Sequence, residues 1–290
     1  MFKVITFYKY INLENPRYWM HKFKWISSEL NLFGRVLVAE EGVNGAVCGR
    51  EEDIEEFKRK IKEGEEFSDL TFREQNCKEQ VYHKLTVKVR NEIVVFGKEV
   101  DLRNKGEYIQ PEELKVKLDN KEKLILLDAR DEHEYNVGRF KNAITLPINN
   151  FRDFSSFTKT LEPYKNKKIV MYCTGGVRCE KSSAFLKQNG FKNIFQLKGG
   201  IIDFINKFPN TYFEGSCFVF DDRLTARSGT PINICEHCGK KEDRYLNCHN
   251  LDCDRLFVCC ESCEEENNYC CSIECKNSER KRNKIAVIAQ

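Results

Sequence analysis

The segment Tyr172-Cys173-Thr174-Gly175-Gly176-Val177-Arg178-Cys179 sets a nucleophile and a cation on either side of a glycine pair. A cysteine reacts as its thiolate, and an adjacent cation or helix N-terminus lowers the pKa that governs that form. A loop can also aim several backbone N–H groups at one point, and the two adjacent glycines permit the backbone conformations such a cradle requires. The plainer reading is a strand-end cysteine packed beside a glycine turn. The conjunction of thiol, glycine pair and Arg178 favours a reactive Cys173 in an anion cradle. Cys179, six residues on, reads either as a resolving thiol for Cys173 or as ordinary helix packing.

A second group of thiols lies at the other end of the chain. Of fifteen cysteines, ten fall in the last quarter. Cys235-x-x-Cys238 is repeated by Cys260-x-x-Cys263, and two such hooks supply four thiolates at tetrahedral reach. Cys248 and Cys253, with Cys271 and Cys275, form a second potential four-thiolate set in interleaved order. Cys259 and Cys270 are adjacent alternates, and His249 is a weaker one. The expected ligand is structural zinc, one or two ions, in preference to an iron–sulfur cluster. A short cysteine-rich segment lacks the apolar residues for a core of its own, so it needs the metal.

These residues must be positioned by ordinary folded elements. At 290 residues, with 41% hydrophobic and 12% aromatic content, the chain has material for two or three domains and is not a disordered polymer. Lys+Arg number 48 against 45 Asp+Glu, and the cysteine-rich end from 221 is slightly acidic, so no general polyanion-binding field exists. Lys3 and Lys9 interrupt any apolar leader in MFKVITFYKY, and no run approaches the ~18 apolar residues of a membrane span. The expectation is a cytoplasmic protein with no membrane partner.

Residues 1–100 read β-α-β-β-α-β, which suggests a ferredoxin-like domain. Asn15-Pro16 starts a helix, RVLVA is a strand, Gly42-Val43-Asn44-Gly45 a hairpin turn, and EIVVFG a closing strand. Ile54, Phe57 and Ile61 share one face of a charged amphipathic helix. From 110 to 215 the buried runs LILLDAR, KKIVMYC and NIFQL alternate with helical stretches, the pattern of a parallel α/β sheet. Residues 216–234 read as a connector and 235–275 as a small zinc-binding module. The fold class is therefore α+β followed by α/β, with the metal module at the end.

Asp128-Ala129-Arg130, Glu134-Tyr135, Gly138-Arg139-Phe140-Lys141-Asn142-Ala143 and Lys198-Gly199-Gly200-Ile201 flank the thiol loop. Together they resemble a rhodanese domain, in which the first loop cysteine carries a persulfide. The resemblance makes Cys173 the active cysteine and has Arg178 close the cradle formed with Thr174, Gly175, Gly176 and Val177. Asp128 and Arg130 become support behind it. Arg139 stands where rhodaneses usually have His. Four residues between Cys173 and Arg178 match the rhodanese loop, whereas related phosphatases use five, which disfavours a phosphatase. The ordered blocks VAEEGVNGAVCG, CTGGVRCEKS and EGSCFVFDDR, followed by the cysteine cluster, resemble the bacterial tRNA uridine hydroxylase family over nearly the whole chain.

That resemblance implies oxygen-dependent conversion of the wobble uridine of tRNA to 5-hydroxyuridine, with the rhodanese cysteine required and molecular oxygen as co-substrate. The sequence contains no G-x-G-x-x-G fingerprint, and His21, His83, His133, His237 and His249 offer no evident two-His-one-carboxylate iron site. No flavin or NAD site is expected, and the residues name no electron donor. The alternative is a persulfide sulfurtransferase using the same Cys173. For tRNA, Lys84, Lys88 and Arg90 alternate on one strand face and are candidate phosphate contacts, although such a stripe is more often the pattern of a solvated face.

Overall fold

A computed structural model of the chain describes residues 1–226 and 228–282. Its contacts divide it into two units, one of residues 1–132 and 142–207, the other of residues 133–141 and 208–290.

The first unit opens with β1 (Phe2–Tyr10), α1 (Pro16–Glu29), β2 (Phe33–Ala39), β3 (Gly42–Arg50), α2 (Glu51–Lys62), β4 (Phe72–Cys77) and β5 (Leu85–Val89). The Asn15 side chain accepts from the Tyr18 N–H and Pro16 takes the first helical position, so α1 begins where the sequence signals it. The strands form one sheet in the order β4-β1-β3-β2-β5, the expected β-α-β-β-α-β arrangement with β5 added parallel to β2. Trp19, Phe23 and Ile26 of α1, and Ile54, Phe57 and Ile61 of α2, pack with Phe7, Val36 and Val47 on one side of the sheet. Side chains alternate along a strand, so Tyr8 lies on the other side. Cross-strand pairing aligns Tyr8 with Asn44, Asn44 with Leu37, and Leu37 with Lys88 in a single row.

Two local expectations need correction. Gly42 through Gly45 do not form the hairpin turn: the turn lies at Glu40–Glu41, and all four residues belong to β3. The glycines serve close packing instead. A Cβ on Gly42 would lie 2.0 Å from the Lys9 carbonyl oxygen, and one on Gly45 would lie 2.7 Å from the Phe7 ring. The EIVVFG run is not a strand. Phe96 leaves for the core of the next domain, and the Glu92 carboxylate accepts from the N–H groups of Phe96 and Gly97, closing a turn in place of a ladder.

The chain continues through β6 (Glu107–Ile109), α3 (Pro111–Asp119), β7 (Ile125–Asp128), α4 (Glu132–Val137), β8 (Gly138–Phe140), β9 (Ile169–Tyr172), α5 (Val177–Gln188), β10 (Ile194–Leu197) and α6 (Gly200–Lys207). Strands β6-β10-β9-β7 form a parallel sheet in that order. Its core joins Leu127, Ile169, Met171, Leu186 and Ile194. Strand β6, three residues long and half-exposed, had too little apolar pattern to be read from sequence.

The second unit contains β8 and α4 residues from 133, with β11 (Phe213–Gly215), β12 (Cys217–Phe218), β13 (Thr225–Ala226), β14 (Tyr245–Asn247), β15 (Leu256–Val258), α7 (Glu261–Glu266) and α8 (Ile273–Lys276). β11 pairs with β8, and the other four strands form two short hairpins. The buried Asp243 carboxylate accepts from the backbone N–H groups of Ile232 and Asn233 and from the Ser216 hydroxyl. One carboxylate thereby fixes the run into the cysteine cluster. Among the described residues no helix is long and apolar enough to cross a membrane.

Candidate active site and metal centres

Cys173 follows the last residue of β9 and precedes α5 by three residues, at the carboxyl end of the parallel sheet where open α/β sheets bind ligands. Its side chain is wholly buried. The Gly176 N–H points at its sulfur from 3.1 Å, and the backbone N–H of Arg178 also bonds to it. Gly176 has φ +100°, closed to most side chains, and this conformation turns its N–H inward. The Arg178 guanidinium donates to the Thr174 hydroxyl at 3.2 Å and lies 3.9 Å from Asp131, which keeps it folded over the loop.

Burial works to raise the Cys173 pKa. The Cys179 thiol, the Arg178 charge and the two backbone N–H groups outweigh it, and the pKa is lowered to about 6. At neutral pH the sulfur is an anion. Burial and then the neighbouring Cys173 push the Cys179 thiol well above its usual range, so Cys179 stays protonated as a donor to that anion.

Three layers brace the loop. Asp128 and Arg130, both fully buried, form a two-pronged ion pair at 2.9 and 2.7 Å, with the guanidinium 5.5 Å from the Tyr172 ring centre. The Ala129 N–H binds the Tyr172 carbonyl at 2.9 Å. From the other side, the Ile201 and Ile202 N–H groups bind the carbonyls of Cys173 and Thr174 at 2.9 and 3.2 Å. This approach requires a glycine at 200, where a Cβ would lie 2.6 Å from both carbonyl oxygens.

The third layer comes from the N-terminal domain and was not foreseen in the sequence. The Tyr8 hydroxyl donates to the Glu180 carboxylate at 3.0 Å and lies 2.9 Å from where a Cβ on Gly176 would stand. The Tyr10 hydroxyl donates to the Val177 carbonyl at 3.2 Å. The buried Lys181 ammonium pairs with Glu41 at 2.8 Å and Glu92 at 2.6 Å. Glu180 also accepts from the Tyr108 hydroxyl at 2.5 Å and pairs with Lys105 at 2.6 Å. The alternation of tyrosines in FYKY was the available signal, but single-sequence patterning cannot say what a sheet face meets.

In the second unit the structure gathers Cys235, Cys238, Cys260 and Cys263 into one group and Cys248, Cys253, Cys271 and Cys275 into another, with the sulfurs of each within 4.8 Å of one another. Cys259 and Cys270 belong to neither, and their thiols turn to the carbonyls of Cys260 and Asn268. His249 stacks on Tyr269 and is also outside both groups. Lys88 is exposed on β5, the edge strand of the N-terminal sheet, and the exposed Lys84 and Arg90 flank that strand at its two ends.

The chain matches the model of the UPF0176 acylphosphatase like domain over residues 2–93, the Rhodanese-like domain over 110–207 and the Rhodanase C-terminal segment over 214–276. It is 36% identical over 288 residues to the tRNA uridine(34) hydroxylase of Protochlamydia amoebophila, covering 97% of this chain and 90% of that one. For the protein of the same name from Cytophaga hutchinsonii the identity is 38% over 287 residues, covering 97% and 92%. The chain belongs to the tRNA uridine(34) hydroxylase family. A third member, from Chlamydia felis, is 35% identical and aligns with 96% of this chain and 88% of its own. The first of these alignments covers 97% of this chain and so extends into all three matched segments.

Proposed function

We propose that this chain hydroxylates C5 of the wobble uridine in tRNA, with Cys173 as the nucleophile. The observation that carries the reading is a cysteine held as a thiolate in a four-residue loop, in a chain aligned nearly end to end with tRNA uridine(34) hydroxylases. Arg178 and the Gly176 N–H hold the sulfur anion, and Asp128 with Arg130 keep the strand end beneath it rigid. The thiolate adds to C6 of uracil, which places the electron pair of the 5,6 double bond at C5. C5 then takes one atom of molecular oxygen. The other oxygen atom leaves as water, with two electrons and two protons supplied by an external reductant. Loss of the C5 proton and of the C6–S bond restores the ring and frees the thiolate. A tRNA substrate places the work in the cytoplasm.

Zinc fits both thiol groups. A tetrahedral ion with Zn–S near 2.3 Å sets its sulfurs about 3.8 Å apart. Cys238 and Cys260 are 3.7 Å apart, Cys253 and Cys271 3.7 Å, and Cys271 and Cys275 3.8 Å. An iron–sulfur cluster interposes sulfide and more than one iron, so its cysteine sulfurs would stand farther apart. Two structural ions would close the module, as such an ion supplies the folding energy that a short segment lacks.

A second reading, persulfide transfer from Cys173, is favoured by the size of the loop alone. The two readings part on one experiment. Hydroxylation predicts 5-hydroxyuridine in tRNA from cells expressing the chain and none with Cys173→Ser. Sulfur transfer predicts no such nucleoside and a persulfide on Cys173 that passes to cyanide.

A further inference from the structure

The thiol loop has one covered side and one open side. Tyr8 closes it at Gly176, whereas a Cβ added to Gly175 would meet nothing within 4 Å. Tyr108 and Lys198 lie at the ends of the neighbouring strands. Tyr108 pairs with Gln196 on β10, and Gln196 with Met171 on β9, so Tyr108 stands two strands, or about 10 Å, across the sheet from the strand that delivers Cys173. The Lys198 N–H binds the Ile109 carbonyl at 2.9 Å, which fixes it beside Tyr108, two residues before the glycine that clasps Cys173.

Tyr108 is 41% exposed, yet its hydroxyl is anchored on the buried Glu180 carboxylate. An exposed aromatic ring held at its far end presents a surface of fixed orientation. The Lys198 ammonium lies over the ring at 4.5 Å from its centre, and the Lys105 ammonium over it at 5.2 Å. Glu180 neutralises Lys105, but Lys198 is exposed and has no carboxylate partner among the described residues. An exposed aromatic ring with an unneutralised cation over it, on a flexible side chain, offers what a single-stranded nucleic acid requires: the ring for a base and the ammonium, once it swings aside, for the backbone phosphate.

We infer that Tyr108 and Lys198 form the docking surface for a nucleotide flanking the target uridine, with Tyr108 stacking on its base and Lys198 contacting its phosphate. The inference rests on the proposed tRNA substrate and names the surface that receives it. Glu180 orients Tyr108 and, through Tyr8, also ties that ring to the covered side of the thiol loop. Lys84, Lys88 and Arg90 lie at the edge of the N-terminal sheet, where Lys88 shares a row with Tyr8 three strands away, about 15 Å. They are placed for a more distant phosphate and not for the anticodon bases.

The test is fluorescence anisotropy with a labelled anticodon stem-loop RNA carrying uridine at the wobble position, measured against salt on the full chain. Tyr108→Leu is expected to weaken binding about tenfold and Tyr108→Phe to weaken it less, about threefold, since the stacking ring is kept and only its anchor on Glu180 is lost. Lys198→Gln is expected to lower the slope of log affinity against log salt by about 0.7, one phosphate contact on a single strand. Affinity and slope unchanged in both Tyr108→Leu and Lys198→Gln would overturn the assignment. Lys198→Gln, an exposed substitution, decides the matter if Tyr108→Leu fails to fold. Nucleoside mass spectrometry on the wild-type chain judges hydroxylation separately, so loss of that reading and loss of this surface give different results.

Discussion

The Tyr8 hydroxyl, on the first strand of the chain, donates to the Glu180 carboxylate at 3.0 Å on the helix that follows the thiol loop. The partners are 172 residues apart in sequence. Burial and then the Glu180 charge push the Tyr8 phenol well above its usual range, so Tyr8 acts as a fixed hydrogen-bond donor and not as an acid. This bond and the Lys181 pairs with Glu41 and Glu92 make the N-terminal domain part of the wall around the thiol loop.

Tyr8→Phe removes that donor while keeping the ring. Hydroxylation is expected to fall as the loop loosens, and thermal stability to drop by the ~2 kcal/mol that one hydrogen bond to a charged acceptor contributes. Steady-state kinetics on a defined tRNA checks the first part, and circular dichroism the second. Wild-type kcat/KM in the variant would remove Tyr8 from the account.

The thiolate should follow pH in a defined direction. Because the Cys173 pKa is lowered to about 6, its reaction with a small alkylating agent is expected to be near maximal at pH 7 and to fall as pH drops through about 6. Arg178→Met removes the stabilising charge, so the midpoint moves upward and reactivity at pH 6 to 7 declines. Mass-spectrometric quantification of the Cys173 peptide over pH 5 to 9 measures both.

Gly200→Ala forces a Cβ to within 2.6 Å of the carbonyls of Cys173 and Thr174 at a residue with φ +68°. The backbone must move or the clasp must open. A destabilisation of ~2 kcal/mol is expected, lowering Tm by roughly 4–8 °C. Hydroxylation should be lost together with the low Cys173 pKa, because Ile201 and Ile202 no longer hold the loop carbonyls.

The two thiol groups predict two zinc ions per chain by elemental analysis. Cys238→Ser should reduce this to one, and Cys259→Ser should leave two, since Cys259 lies outside both groups. A strong chelator is expected to expose residues 235–275 to protease while the thiol-loop domain survives.

Much of this arrangement was legible in the sequence because its signals are local. Cys173, the glycine pair and Arg178 occupy six consecutive positions, and the two Cys-x-x-Cys hooks announce by spacing the four thiols that the structure gathers. Ile54, Phe57 and Ile61 announce a buried helix face in the same way. What escaped was long-range. EIVVFG has strand composition, but Phe96 is claimed by the second core, and tertiary packing overrides the local preference. The glycines of VAEEGVNGAV resemble a turn when read singly, yet their role is to admit Lys9 and Phe7 from a strand some 35 residues earlier. Tyr8, Glu180 and Tyr108 meet only because two domains and a short edge strand converge, and no period in the sequence encodes that meeting.

The most direct test of the central claim is nucleoside mass spectrometry of tRNA from a host stripped of its own 5-hydroxyuridine pathways. The host would express either the intact chain or Cys173→Ser at matched levels. The account predicts 5-hydroxyuridine with the intact chain and none with the variant. The nucleoside appearing equally with Cys173→Ser, or with neither protein, would contradict it.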